Sequence, residues 1–261
     1  MKRPTETAYA ELQLAYDHYN DYLFDGRLPP CLITLQREKR TMGYFSSKRF
    51  VHADRQVTDE IAMNPEYFAV VPLIEVMQTL CHEACHLFQA HFGKPSRSGY
   101  HNAEWAKKMI EIGLIPSDTG APGGKQTGQK MGDYVQPGGR FELATQALFD
   151  TGFMISWFDR FPAHIPHPTW SMLQAANVVA NTPATGSHPL PLQELGTQRP
   201  ASESLVFTSP ALEKLGEILE PREAMQNRSH RNKYSCSSCG LSVWGKPGIR
   251  VKCGDCNFLM E

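Results

Sequence analysis

The sequence has no run of eighteen apolar residues, so no helical membrane span is expected and a membrane is not among the expected partners. Its opening, MKRPTETAYAEL, has basic residues but no apolar stretch after them. That is not the pattern of a secretory leader, and the expected location is the cytoplasm. Neither sign of charge is in excess: 26 Lys and Arg stand against 27 Asp and Glu, for a formal net charge of -1. Overall charge thereby argues neither for nor against a polyanionic partner, and any basic surface has to be local. There is no internal repeat, which argues against a solenoid or propeller. The segment GGKQTGQK lacks the order G-x-x-x-x-G-K-[ST] and is not a phosphate-binding P-loop. It reads as a loop bordering a cleft, with Lys125 and Lys130 as candidate phosphate contacts. Cysteines number only seven. Without a leader they belong to a reducing compartment, where thiols bind metal or pack rather than pair.

What is present starts with a helical pattern over residues 6 to 23, where Tyr9, Leu12, Ala15, Tyr16, Tyr19 and Leu23 recur at helical spacing. FDGRLPP ends it. Three strand candidates follow, CLITLQ, TMGYFSS and TDEIAMNP. A long helix is expected over residues 67 to 92, with Val70, Leu73, Ile74, Met77, Leu80, Cys81, Ala84, Cys85 and Phe88 as its core-facing stripe. Another helix runs from about Asn102 to Gly113. Residues 116 to 140 are rich in glycine and show no clear pattern. FELATQALFDTG reads as a helix and FMISWF as a short strand. The result is an α+β domain over residues 1–160. A flexible linker over 161–230, rich in Pro, Ser, Thr and Gln, includes one isolated helical stretch, ALEKLGEILEPREAM. A cysteine-rich module of different composition occupies 231–261.

The long helix carries His82-Glu83-Ala84-Cys85-His86, an H-E-x-x-H motif. Histidines at i and i+4 project from one side of a helix and can share a Zn²⁺ at about 2.0–2.1 Å. The glutamate beside the first histidine then reaches a metal-bound water and takes its proton as the water attacks a carbonyl. The plainer alternative is an ordinary pair of surface histidines. A catalytic zinc needs a third protein ligand and an open position. His91 lies about 140° round the helix from His86, whereas His101 follows a loop that lets the chain return, so His101 is the preferred third ligand. Cys81 and Cys85 fall on the apolar face and read as small buried hydrophobes, and Cys31 is read the same way.

These residues resemble the SprT-like zinc metallopeptidases. The resemblance rests on HEACH, on His101 in YHNAEW, and on FDGRLP, MGYFSS and IAMNP, and its core covers residues 6–118. One departure is that Asn102 stands where the family's third-ligand motif has glycine. The resemblance implies a minimal zincin-like protease of the gluzincin kind, with His82, His86 and His101 as the metal ligands and Glu83 as the catalytic base. Relatives of the Spartan type cleave proteins crosslinked to DNA and are stimulated by DNA. No oxyanion stabiliser carries over from the family, and Tyr100 and Tyr134 are donors by residue type alone.

At the C-terminal end, Cys236-x-x-Cys239 and Cys253-x-x-Cys256 are separated by thirteen residues. Two such pairs supply four thiolates for a structural Zn²⁺, distinct from the catalytic one, in a zinc ribbon. A redox pair or idle thiols are the alternatives. Arg228, Arg231, Lys233, Lys246, Arg250 and Lys252 are interleaved there with Tyr234, Trp244 and Phe258. Cations meet phosphates and aromatics stack on exposed bases, so the module is a candidate DNA anchor, with single-stranded DNA as one form. The competing reading packs those aromatics inside the module. The basic stretches 37–40 and 48–49 read as solvated strand edges.

The expected activity is zinc endopeptidase cleavage of proteins associated with or crosslinked to DNA. The runner-up is a non-proteolytic, zinc-containing DNA-binding or transcription-associated factor. Glu83 argues against it, since a purely structural site has no use for that carboxylate. A third reading is a general peptidase with no nucleic-acid role.

Overall fold

A computed structural model describes residues 3–38, 41–97, 99–163, 218–220 and 231–260. Two compact units divide the chain, Met1–Pro221 and Arg222–Glu261. The expected linker over 161–230, with its helical stretch, lies almost wholly outside the described residues. Among those residues no helix is long and apolar enough to cross a membrane.

The first unit mixes helices with small sheets. Helix α1 spans Pro4–Phe24 and buries Leu12, Ala15, Tyr16, Tyr19 and Leu23, the stripe expected from its spacing except for Tyr9, which is exposed near the helix start. Asp25 in the left-handed region ends it. Strands β1 (Leu32–Leu35), β2 (Gly43–Val51) and β3 (Val57–Met63) form one sheet in the order β1-β3-β2, with β1 parallel and β2 antiparallel to β3. The sheet's inner side chains, Ile33, Ile61 and Met63, join the core.

Helix α2 spans Leu73–Phe92, six residues shorter at its start than the sequence pattern suggests. The apolar residues 68–71 are buried, but in turns, with Tyr67 N–H bonded to Asn64 and Val70 N–H to Tyr67. Pro72 explains the boundary: a proline disfavours helical backbone in the residue before it and is well placed at a helix start. Burial in a turn and burial on a helix leave the same apolar letters in the sequence. Asn64 of the IAMNP segment is buried and donates to the Glu38 and Thr41 carbonyls, fixing the approach to β2.

Helix α3 (Ala103–Ile112) and α4 (Arg140–Asp150) pack against the core through Trp105, Met109, Ile112, Phe141, Ala144 and Leu148. The Tyr19 hydroxyl meets Thr145 Oγ1 at 2.9 Å, tying α1 to α4. Between α3 and α4, β4 (Leu114–Ser117) and β5 (Gly132–Val135) pair antiparallel. Gly113 makes the turn into β4 at φ +90, and a Cβ there would meet the Arg140 backbone nitrogen at 2.9 Å. Part of the patternless 116–140 stretch is thus a strand pair.

Two expectations are corrected. FMISWF is not a strand. It is a short apolar run that pairs with no sheet edge; instead Ser156 N–H donates to Glu11 at 2.9 Å, anchoring the segment on α1. Arg37 is not merely a solvated charge, because it pairs with Asp159, whose side chain is 3% exposed. Lys39 and Arg40 lie outside the described residues. Lys48 and Arg49 are exposed on β2, the sheet's edge strand, as expected.

In the second unit, β6 (Asn232–Ser235) pairs with β7 (Ser242–Gly245), and β8 (Val251–Lys252) with β9 (Leu259–Met260). Its core among the described residues is Cys236, Cys253 and Met260.

Candidate metal centre and active-site cleft

Helical spacing puts His82 and His86 on the side of α2 that faces a cleft of about 1320 Å³. Edge strand β2 forms one wall through Gly43, Tyr44 and Phe45, and β5 contributes Asp133, Tyr134 and Val135. Gly43 makes the close approach of β2 to α2 possible: a Cβ there would meet Thr79 Cγ2 at 2.8 Å and the Ala62 carbonyl at 2.9 Å.

His101 reaches the same point from the loop before α3. One ligand atom from each of His82, His86 and His101 lies within 4.8 Å of the others. The indole of Trp105, fully buried, lies under all three rings, with centroids 4.8, 5.2 and 4.4 Å from those of His82, His86 and His101. Trp105 closes the YHNAEW stretch, and nothing in the sequence assigns it a role. Here it is an apolar floor that fixes the imidazoles.

The tautomers follow from the partners. His82 Nδ1 lies 2.9 Å from Asp133 Oδ2 and His101 Nδ1 lies 3.1 Å from the Gly128 carbonyl. Both partners are acceptors, so each Nδ1 carries the proton and each Nε2 presents a lone pair. Those two Nε2 atoms are 3.3 Å apart. Facing lone pairs repel unless a cation lies between them. Two nitrogens on one tetrahedral zinc at about 2.0–2.1 Å would be separated by roughly 3.4 Å. The donor set therefore fits zinc in chemistry and spacing.

The electrostatics of His86 and His101 agree. Burial, followed by the neighbouring His82 and His101, brings His86 down to about 2. Burial and His82 bring His101 down to about 4. Both are held neutral, the form that binds metal. Burial alone would lower His82 as well, but its bond to Asp133 and the charges of Glu83 and Asp133 carry it upward. Glu83 is buried beside the histidines and raised by that burial, while the charge of His82 and then the Phe45 N–H partly offset the rise. A carboxyl moved up toward neutrality is suited to exchanging protons.

Most other residues fall where the sequence suggested, Lys125 excepted. His91 points away, to Asp59 at 2.6 Å. Cys81 and Cys85 are fully buried, and burial pushes both thiols well up. Tyr100, Tyr134 and Lys130 line the cleft, and Lys125 does not. The sequence reading missed Asp133 and Gln78. Gln78 lies on α2, one turn before His82, and its Nε2 donates to Asp133 Oδ1 at 2.7 Å. Helical spacing places Gln78 on the face that carries the histidines, but no local pattern pointed to Asp133.

Asn102, the departure from the family motif, does several jobs. It caps α3, accepting from Trp105 N–H at 3.0 Å. It also accepts from Gln89 at 2.7 Å and donates to the Lys94 carbonyl and Ser96 Oγ. Its φ of -88 needs no glycine, so the departure leaves His101 in place. Asn102→Ala is expected to cost about 1–2 kcal/mol through the lost cap alone. A thermal melt of the apoprotein checks this, and an unchanged midpoint would show that the cap contributes nothing.

The second cluster is Cys236, Cys239, Cys253 and Cys256, whose sulfurs lie within 4.8 Å of one another. The two pairs share a turn: Gly240 N–H bonds to the Cys236 carbonyl and Asn257 N–H to that of Cys253, each at 2.9 Å. Gly240 and Asn257 both adopt positive φ. Backbone N–H groups of Cys239 and Ser238 bring Cys236 down to about 7. The Leu241 N–H favours the Cys239 thiolate, yet the other three sulfurs push that thiol up to about 12. Four sulfurs this close form a donor set that fits a tetrahedral zinc once they are thiolates. Trp244 and Phe258 are exposed, at 65% and 56%, so they are not packed inside the unit. Tyr234 packs against its core. Arg228 lies outside the described residues.

Among known proteins, the sequence model of the SprT-like family matches residues 12–122. Over 59 residues the chain is 63% identical to the uncharacterized protein in the mucB 3'region of Salmonella typhimurium, a stretch covering 22% of this chain and 80% of that protein. No solved structure matches.

Proposed function

The chain belongs to the SprT-like family, and on that premise we propose that it is a zinc endopeptidase of minimal zincin-like fold acting on proteins bound or crosslinked to DNA. The observation that carries the reading is the convergence of His82, His86 and His101 beside the buried Glu83 in one open cleft. In this reading residues 1–160 are the peptidase domain, 161–230 the linker and 231–261 a zinc ribbon, and the protein works in the cytoplasm.

Zinc, when bound by the three histidines, supplies a Lewis acid that polarises a carbonyl and makes water a stronger acid. The remaining work falls to the chain. Asp133 and the Gly128 carbonyl keep His82 and His101 in the tautomers that present Nε2. Trp105 keeps water from beneath the rings. Glu83 takes a proton from the attacking water and later delivers one to the departing amine. Edge strand β2 lies along the cleft, where an extended substrate can align beside it. Tyr100 and Tyr134, which line the cleft, are the candidate hydroxyl donors for the developing oxyanion.

The C-terminal cysteines hold a structural zinc, and Lys233, Arg250 and Lys252, with the exposed Trp244 and Phe258, bind DNA by phosphate contact and base stacking. The linker then lets the peptidase reach a protein held on the same strand. Cleavage of a DNA-binding protein is expected to accelerate when single-stranded DNA is added. The acceleration is expected to shrink when Arg250 and Lys252 are replaced by Glu, with basal cleavage retained. Cleavage indifferent to DNA favours the general peptidase. DNA binding without cleavage of any protein tried favours the binding factor.

A further inference from the structure

The glycine-rich return between α3 and α4 supplies the hydrogen-bond acceptors for two of the three histidines. Gly128 accepts from His101, and its backbone also forms an isolated antiparallel bridge with that residue. Asp133, on β5, accepts from His82. Asp133 lies beyond the 12–122 span that matches the family, so nothing in that match assigns it a role.

We propose that Asp133 is a positioning residue of the histidine centre, held by Gln78, that sets the orientation and donor strength of His82 toward the metal. This rests on the reading of His82, His86 and His101 as zinc ligands. The Asp133 side chain is only 5% exposed. A buried carboxylate is costly unless each oxygen is satisfied, and here both are. Oδ2 faces His82 Nδ1, and Oδ1 accepts from Gln78 Nε2 at 2.7 Å. Gln78 Nε2 also donates to the Asp133 carbonyl at 2.8 Å. Because Gln78 and His82 stand one turn apart on α2, the helix that carries the ligand also clamps its acceptor. A carboxylate on the far nitrogen of a ligating imidazole fixes the ring and raises its basicity, and losing such a partner typically lowers metal affinity about 10–100-fold. A purely structural tie between β5 and α2 would instead change stability and leave metal affinity alone.

The test is zinc affinity of the full chain by chelator competition. The step abolished by H86A marks the histidine site and separates it from the cysteine site. D133A is expected to weaken that step about 10–100-fold, Q78A to weaken it less, and D133N, which keeps an acceptor but not the charge, to fall between. The visible spectrum of the cobalt-loaded histidine site is expected to shift in D133A, and circular dichroism of each apoprotein verifies the fold. Wild-type affinity and an unchanged cobalt spectrum in folded D133A would overturn the proposal. If D133A does not fold, D133N decides: weakened binding supports the proposal and wild-type binding overturns it. Weakened binding in D133A beside a zinc-loaded wild type that cleaves nothing would uphold the positioning role and sink the peptidase reading. Intact wild-type cleavage with undiminished zinc binding in D133A would do the reverse.

Discussion

Glu83→Gln is expected to lower the rate of protein cleavage by about 10²–10⁴-fold, the usual worth of a positioned general acid–base group, while zinc stays bound. The substitution keeps the shape of the side chain and an oxygen for the Phe45 N–H, and removes only the capacity to exchange a proton. Stability should not fall. Glu83 is buried, and its burial disfavours the charged form, so a neutral amide lifts a desolvation cost that the wild type carries. Initial rates on an unfolded protein substrate, zinc content and a thermal melt, measured together on wild type and variant, check the three parts. Cleavage by the variant at more than a tenth of the wild-type rate would remove Glu83 from the chemistry. A variant that has lost its zinc would show that the residue serves the site rather than the proton transfer.

The second large effect concerns the C-terminal unit. Its core among the described residues consists of Cys236, Cys253 and Met260, and two of the three are members of the thiol cluster. Leu241, Ile249, Phe258 and Leu259 are each more than 40% exposed. So little burial does not offset the entropy of ordering some thirty residues at about 1–2 kcal/mol each for the backbone alone. Structural zinc contributes about 10–16 kcal/mol in comparable small modules. Stripping the metal, or replacing Cys236 and Cys253 by Ser, is therefore expected to unfold residues 231–260 and leave the first unit intact. Amide spectra of the full chain read this directly: the dispersed signals of Lys233, Tyr234 and Trp244 should collapse toward random-coil positions, and return on adding zinc only in the wild type. Dispersed signals from these residues in the metal-free chain would mean that the unit stands without a metal.

The two effects separate because the sites differ in kind. The histidine centre sits on a core that includes Trp105, Met77, Leu80 and Phe141, all fully buried, so losing its metal should abolish activity without unfolding the domain. The cysteine centre largely is its own core.

By itself, the sequence determined whatever depends on local geometry. Helical periodicity put His82 and His86 on one face, left Cys81 and Cys85 on another and sent His91 elsewhere, because a residue's direction on a helix follows from its position in the chain. The paired C-x-x-C turns were legible for the same reason, each being complete within a few residues. His101 could be chosen as the third ligand because the loop before it allowed a return. Tertiary structure decided the rest. Residues 68–71 are buried in turns rather than on a helix, since Pro72 and the packing around it override the apolar pattern. The 153–158 segment found no partner strand. Above all, the return of a patternless, glycine-rich segment put Asp133 and the Gly128 carbonyl against His82 and His101, and Trp105 came to lie beneath all three rings. Apart from the step of four residues between His101 and Trp105, these contacts join residues 19 to 51 positions apart. No periodicity links residues that distant: their meeting is fixed by which loop closes over which helix, and only the packed core settles that.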